Sequence, residues 1–91
     1  MKYFAVFLPM KDKEKSQSYR PQHLTFLERM KEEQKVLMYG RFPDGAGGLV
    51  IYRAKDMDEA ISHLKKDPFV QVGARDWEIH EWELVSEYEF D

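Results

Sequence analysis

Two residues far apart in the chain, His23 and Asp67, carry the strongest chemical signal. At about 100° per residue, Phe26, Leu27 and Met30 share an arc with Gln34 and His23, and Leu24 lies at its edge. His23 therefore falls within the apolar stripe of a helix. A buried imidazole needs a hydrogen-bond partner, or it bears a desolvation cost of about 1–3 kcal/mol. Asp67 ends a second amphipathic stretch and precedes Pro68, which lacks an N–H and biases Asp67 toward extended backbone. The pattern predicts a carboxylate at a helix C-terminus, unfavourable there by roughly 0.3–1 kcal/mol if exposed. When two such helices pack antiparallel, the start of the first meets the end of the second. A carboxylate that accepts from one imidazole nitrogen fixes the tautomer and leaves the other nitrogen to take a proton, as a general base requires. Two plainer readings stand beside this one: a core histidine satisfied by packing, or an ion pair that only ties two elements together. Arg20, one turn ahead of His23 on a neighbouring face, is placed to hold a substrate carboxylate.

Other chemistries find less support. His80 falls in a strand and His63 on the flank of the second helix, outside its stripe, so both read as surface or packing residues. No H-x-x-x-H or H-E-x-x-H spacing is present to bind a metal. Gly45, Gly47 and Gly48 are followed by no Lys-Ser/Thr, so they do not make a phosphate loop, and no cofactor is expected. The chain has no cysteine, and no serine has nucleophile-elbow context.

The elements that must position the pair follow from periodicity. Lys2 to Leu8 reads as a strand with Phe4, Val6 and Leu8 on one face and Tyr3, Ala5 and Phe7 on the other. Neither face is polar, which suggests that a partner subunit covers the second. Pro9 to Ser18 is expected to be a polar loop, either a solvated connector or a mobile flap. A helix over Tyr19 to Gln34 follows, with Ser18 as its N-cap and Pro21 in the first turn. Val36 to Phe42 and Gly48 to Ala54 make a hairpin around Pro43-Asp44-Gly45-Ala46-Gly47. Asp56 and Glu59 open the second helix as a capping box, and Met57, Ala60, Ile61 and Leu64 form its stripe. The last strand spans about Arg75 to Val85. Trp77 and Ile79 differ in parity from Trp82 and Leu84, which predicts a bulge near His80-Glu81. Glu87 to Asp91 is an acidic tail in which Tyr88 and Phe90 alternate, either frayed or added to a partner's sheet edge.

The order β-α-β-β-α-β is the ferredoxin-like arrangement, an α+β fold with a four-stranded antiparallel sheet and two helices on one face. Residues 1–91 make one domain, enough to bury on the order of 60–65% of the unfolded surface. The net charge of −3 argues against nucleic acid or an anionic membrane as partner. The shared topology raises an RNA-binding sheet, but the Lys/Arg-Gly-Phe-Gly-Phe pattern is absent. The apolar run Tyr3 to Leu8 is too short for a membrane span and lacks a signal-peptide cleavage site. The expectation is a soluble cytoplasmic protein whose apolar sheet face is buried in a homodimer.

The chain resembles the YciI-like (YCII-related) family of the dimeric α+β barrel superfamily. The resemblance rests on Arg20 and His23-Leu24 in the first helix, Leu37-Met38-Tyr39-Gly40 entering the hairpin, and Gly48 starting the third strand. Asp67-Pro68-Phe69 after the second helix, Gly73 and the Ile79 to Trp82 stretch complete it. It implies a ferredoxin-like dimer whose sheets pack into a barrel, with a cleft holding a His–Asp pair that is proposed as catalytic. Here the pair maps to His23 and Asp67, with Phe69 beside it as a substrate-binding residue. The superfamily includes muconolactone isomerase-like enzymes and dehydrochlorinases acting on small ring compounds, and many YciI-like proteins have no assigned activity. The chain departs from the commoner pattern in its charged Pro9–Ser18 segment and in Lys35, where glycine often stands. Two functions follow as expectations. One is a small-molecule enzyme performing proton abstraction, isomerisation or elimination. The alternative is a non-catalytic dimeric metabolite-binding or protein-interaction module.

Overall fold

A computed structural model describes residues 1–87. Its elements run β1 (Lys2–Pro9), α1 (Lys13–Ser18), α2 (Arg20–Glu32), β2 (Val36–Arg41), β3 (Gly47–Ala54), α3 (Met57–Leu64), α4 (Pro68–Gln71) and β4 (Glu78–Trp82). The strands form one antiparallel sheet in the order β2-β3-β1-β4. This is the expected ferredoxin-like sheet, with α1 and α4 added as short helices.

The alternation of β1 sorts its side chains as its sequence pattern requires. Phe4, Val6 and Leu8 are buried against Val50 and Tyr52 of β3, beneath Leu27 and Met30 of α2 and Ala60 and Leu64 of α3. The opposite face stays open and apolar: Met38, Leu49 and Trp82 are 40%, 36% and 42% exposed, and Phe7 packs edge-on against Phe42. At the hairpin end, Gly47 holds φ 139°, and a Cβ there would lie 2.1 Å from the Leu8 carbonyl oxygen. Only glycine lets β3 start this close to the end of β1.

Three local expectations change. The Pro9–Ser18 segment is not a loop throughout, because Asp12 caps α1 by accepting from the Lys15 amide at 3.0 Å. The junction residue Tyr19, rather than Ser18, then caps α2, without a side-chain hydrogen bond. β4 pairs with β1 in unbroken register from Phe7↔Glu78 to Tyr3↔Trp82, so no bulge occurs at His80-Glu81. Parity instead places Trp82 beside Tyr3 on the open face and Ile79 against the core. The register shift lies in β2, between Val36 and Met38. At α3, Asp56 accepts from the Glu59 amide at 2.9 Å, while Glu59 reaches back to the Lys55 amide at 3.2 Å. Tyr88 and Phe90 of the acidic tail lie outside the described residues. No helix among those residues is long and apolar enough to cross a membrane.

Candidate active site

The site begins at the first turns of α2. Pro21 is preset for the start of a helix, and the His23 amide closes onto the Tyr19 carbonyl at 3.0 Å. The imidazole points inward and is 9% exposed. Asp67 arrives from the other side, after α3. Pro68 holds it at φ −66°, ψ 125°, the extended backbone expected. The electrostatics differ from the expectation: Asp67 also caps α4, and its Oδ1 accepts from the Phe69 amide at 2.9 Å. The carboxylate thus sits at the start of one helix as well as past the end of another. Its charge is favoured there by a backbone donor rather than opposed.

The structure brings the two residues together. His23 Nδ1 lies 2.8 Å from the same Asp67 Oδ1, and Asp67 is fully buried. A carboxylate oxygen accepts from Nδ1–H, the tautomer in which Nε2 is the free acceptor. The His23 ring also lies on Phe69, with centroids 3.8 Å apart and planes 11° from parallel. One residue therefore holds both partners, the imidazole through its ring and the carboxylate through its amide. Among the described residues, Asp67 Oδ2 has no hydrogen-bond partner, and neither has the hydroxyl of the buried Tyr52. Burial, and then the Asp67 charge, push the Tyr52 hydroxyl well above its ordinary pKa of 10.

A cleft of about 280 Å³ opens beside the imidazole, with Arg20, His23, Arg41, Phe42, Phe69 and Arg75 in its wall. A second compartment of about 200 Å³ shares Arg20, His23, Arg41 and Arg75 and continues to Leu8, Leu27 and Val50. Arg20 lines both compartments, and Phe69 forms part of the wall of the first.

The sequence reading missed Arg75, Ser16 and Arg41. Arg75 Nε donates to Ser16 Oγ at 3.1 Å and Nη1 to the Leu8 carbonyl at 3.2 Å, and the guanidinium lies 4.6 Å from the Phe69 ring centre. Burial is the main cause lowering the Arg75 pKa below that of a free guanidinium; Asp67 opposes the shift and Arg20 adds to it. Nothing local marks Arg75, which enters through the isolated bridge Met10↔Arg75 between segments far apart in sequence. His80 is exposed, as expected, with Glu78 at 3.8 Å. His63 is not a flank residue: it is 8% exposed, and its ring nitrogens have no hydrogen-bond partner among the described residues. It lies away from the cleft.

Comparison with known proteins places this geometry. The model of the YCII-related domain matches residues 1–83. The chain belongs to the YCII-related family. One relative, the uncharacterized protein YjpA of Bacillus subtilis (strain 168), is 32% identical over 82 residues, covering 90% of this chain and 96% of its own. Among solved structures, the chain is similar to 5-chloro-2-hydroxyhydroquinone dehydrochlorinase from Burkholderia phenoliruptrix AC1100, in complex with 2,5-dihydroxybenzoquinone. The TM-score is 0.76 at 22% identity, over 89% of this chain and 93% of that one. At that identity the likeness carries the YCII-related fold.

Proposed function

We propose that this YCII-related protein is a small-molecule enzyme in which His23 is the general acid–base and Asp67 its orienter. The observation that carries the reading is the shared anchor: one carboxylate oxygen lies within hydrogen-bond distance of both His23 Nδ1 and the Phe69 amide, at 2.8 and 2.9 Å. Nε2 takes a proton from carbon next to a carbonyl group, and Asp67 stabilises the imidazolium that forms. Returning the proton to a different atom completes an isomerisation; expelling a leaving group from the adjacent carbon completes an elimination. The dehydrochlorinase with the shared fold, by its name, removes a chlorine substituent from a ring compound. A small cyclic or carboxylated substrate fits the cleft here, with Arg20 holding its carboxylate and Phe69 contacting its body.

The working unit in this reading is a homodimer, in which the apolar open sheet faces of two copies cover one another. The exposure of Met38, Leu49 and Trp82 on that face supports it.

A thermal-shift screen of lactones, quinols and keto acids tests the assignment. A ligand at a hundred times its dissociation constant adds about 2.7 kcal/mol of stability. With a substrate in hand, His23→Ala is expected to lower turnover by roughly 10²–10⁴-fold. Full turnover by that variant removes His23 from the mechanism and leaves a non-catalytic binding module as the better account.

A further inference from the structure

The cleft concentrates positive charge in a chain whose net charge is −3. Lys13, Arg20, Arg41 and Arg75 line the first compartment, and among the described residues no aspartate or glutamate does. Arg20, Arg41 and Arg75 also line the second compartment, again without a carboxylate among the described residues. Lys13, Arg20 and Arg41 form no ion pair among the described residues, so no side-chain carboxylate neutralises them in the cleft wall. Asp67 is the carboxylate that Arg75 feels, but it lies buried behind His23 and Phe69 and offsets one charge only.

The arrangement has an energetic consequence. Arg20 and Arg75 are close enough for Arg20 to oppose the charge of Arg75, and Arg75 is held in place by Ser16 and the Leu8 carbonyl. Guanidinium groups gathered without an anion between them repel, and a bound anion relieves that repulsion while receiving charge-assisted hydrogen bonds. Arg75 uses two of its five N–H donors in the contacts above, so others remain for a ligand. Beside these cations the wall of the second compartment turns aliphatic, with the buried Leu8, Leu27 and Val50.

The geometry points to a compact organic anion as the ligand: a carboxylate or ionised enol held where Arg20, Arg41 and Arg75 meet, its apolar ring or short branched body seated in the Leu8–Leu27–Val50 compartment. This rests on the cleft being the substrate site, as proposed above, and not on His23 being the base. His23 lines the same two compartments, which gives the cations a use during proton abstraction, because negative charge moving onto an enolate oxygen develops in a cleft they line.

Three probes test it by calorimetric titration of the full chain: benzoate (anion and ring), benzyl alcohol (ring alone) and inorganic phosphate (anion alone). Benzoate is expected to bind at least about tenfold more tightly than benzyl alcohol, and phosphate to compete with it. Arg20→Gln and Arg75→Gln are each expected to weaken benzoate by about tenfold, while Lys55→Gln, an exposed change of equal charge, leaves it unaltered. Arg20 lies exposed in a first helical turn, so its variant answers the question even where Arg75→Gln fails to fold. Equal affinity for benzoate and benzyl alcohol, no binding of either anion, or no loss in Arg20→Gln overturns the inference. Anion binding that needs Arg20, in a protein whose turnover ignores His23, sustains this inference and sinks the acid–base assignment alone.

Discussion

His23 and Phe69 lie face to face at 3.8 Å, and the Phe69 amide donates to the carboxylate oxygen that His23 also engages. The phenylalanine thus sets the plane of the imidazole and the position of its partner at once. Phe69→Leu keeps most of the buried volume and loses the stack, which is worth about 0.5–1.5 kcal/mol. In a chain of this size that lowers the melting temperature by roughly 4–8 °C per kcal/mol. The His23 ring resonances are expected to broaden in the variant, and unchanged ring signals would show that Phe69 does not hold the imidazole.

Asp67→Asn separates charge from shape. The side-chain oxygen can still accept from Phe69 and His23, but it no longer stabilises an imidazolium. Turnover is expected to fall by about 10²–10⁴-fold while circular dichroism stays native. Nitrogen-15 spectra of His23 check the cause by reporting which ring nitrogen carries the proton. A variant with lowered stability and undiminished turnover would make Asp67 a structural tie.

The buried His63 gives stability a pH dependence of known sign. Burial, with help from Lys35, holds its pKa below 6.5, and Glu59 at 3.7 Å opposes the shift. Between the folded and unfolded pKa values the unfolded chain binds more protons, so stability falls as pH drops below 6.5 and levels off under the folded value. The contribution is complete above 6.5. His63→Leu removes it, so the variant is expected to gain stability relative to the parent as pH falls from about 7 to about 5. Urea titrations at both pH values measure the difference; a constant gap would mean that His63 is protonated equally in both states.

Sequence pattern carried a large part of this structure, for identifiable reasons. The alternation in β1 and the Asp56 cap are local signals, and each has the role its pattern implies. Asp67-Pro68 showed its extended backbone, because the restriction before proline is steric and local, but not its cap on α4, which spans only four residues. α1 was invisible because Lys13–Ser18 has no apolar stripe; Ser16 is its one buried residue. Trp82 suggested a bulge only on the assumption that every tryptophan faces the core of one chain. Arg75 is defined by contacts to Ser16 and Leu8, 59 and 67 residues away, which no local pattern encodes.

Trp82 then becomes the test of assembly. A tryptophan at the centre of an interface commonly contributes 2 kcal/mol or more, about thirtyfold in affinity. The parent is expected to sediment as a dimer at micromolar concentration and Trp82→Glu largely as a monomer. Because Trp82 is on the face away from the cleft compartments, the monomeric variant is expected to keep its far-ultraviolet spectrum. A parent that sediments as a monomer would contradict the homodimer.

The helical wall α1 has a thermodynamic consequence for any ligand. Asp12 caps it, Lys15 Nζ donates to the Val72 carbonyl at 3.0 Å, and Ser16 joins Arg75 beneath it. A loop of this length that ordered only on binding would lose about 1–2 kcal/mol of conformational entropy for each residue fixed. With the wall already built, little of that cost falls on the ligand. Affinity then follows the fit of small molecules to a preformed cleft, and the heat-capacity change of binding follows the apolar surface buried rather than coupled folding.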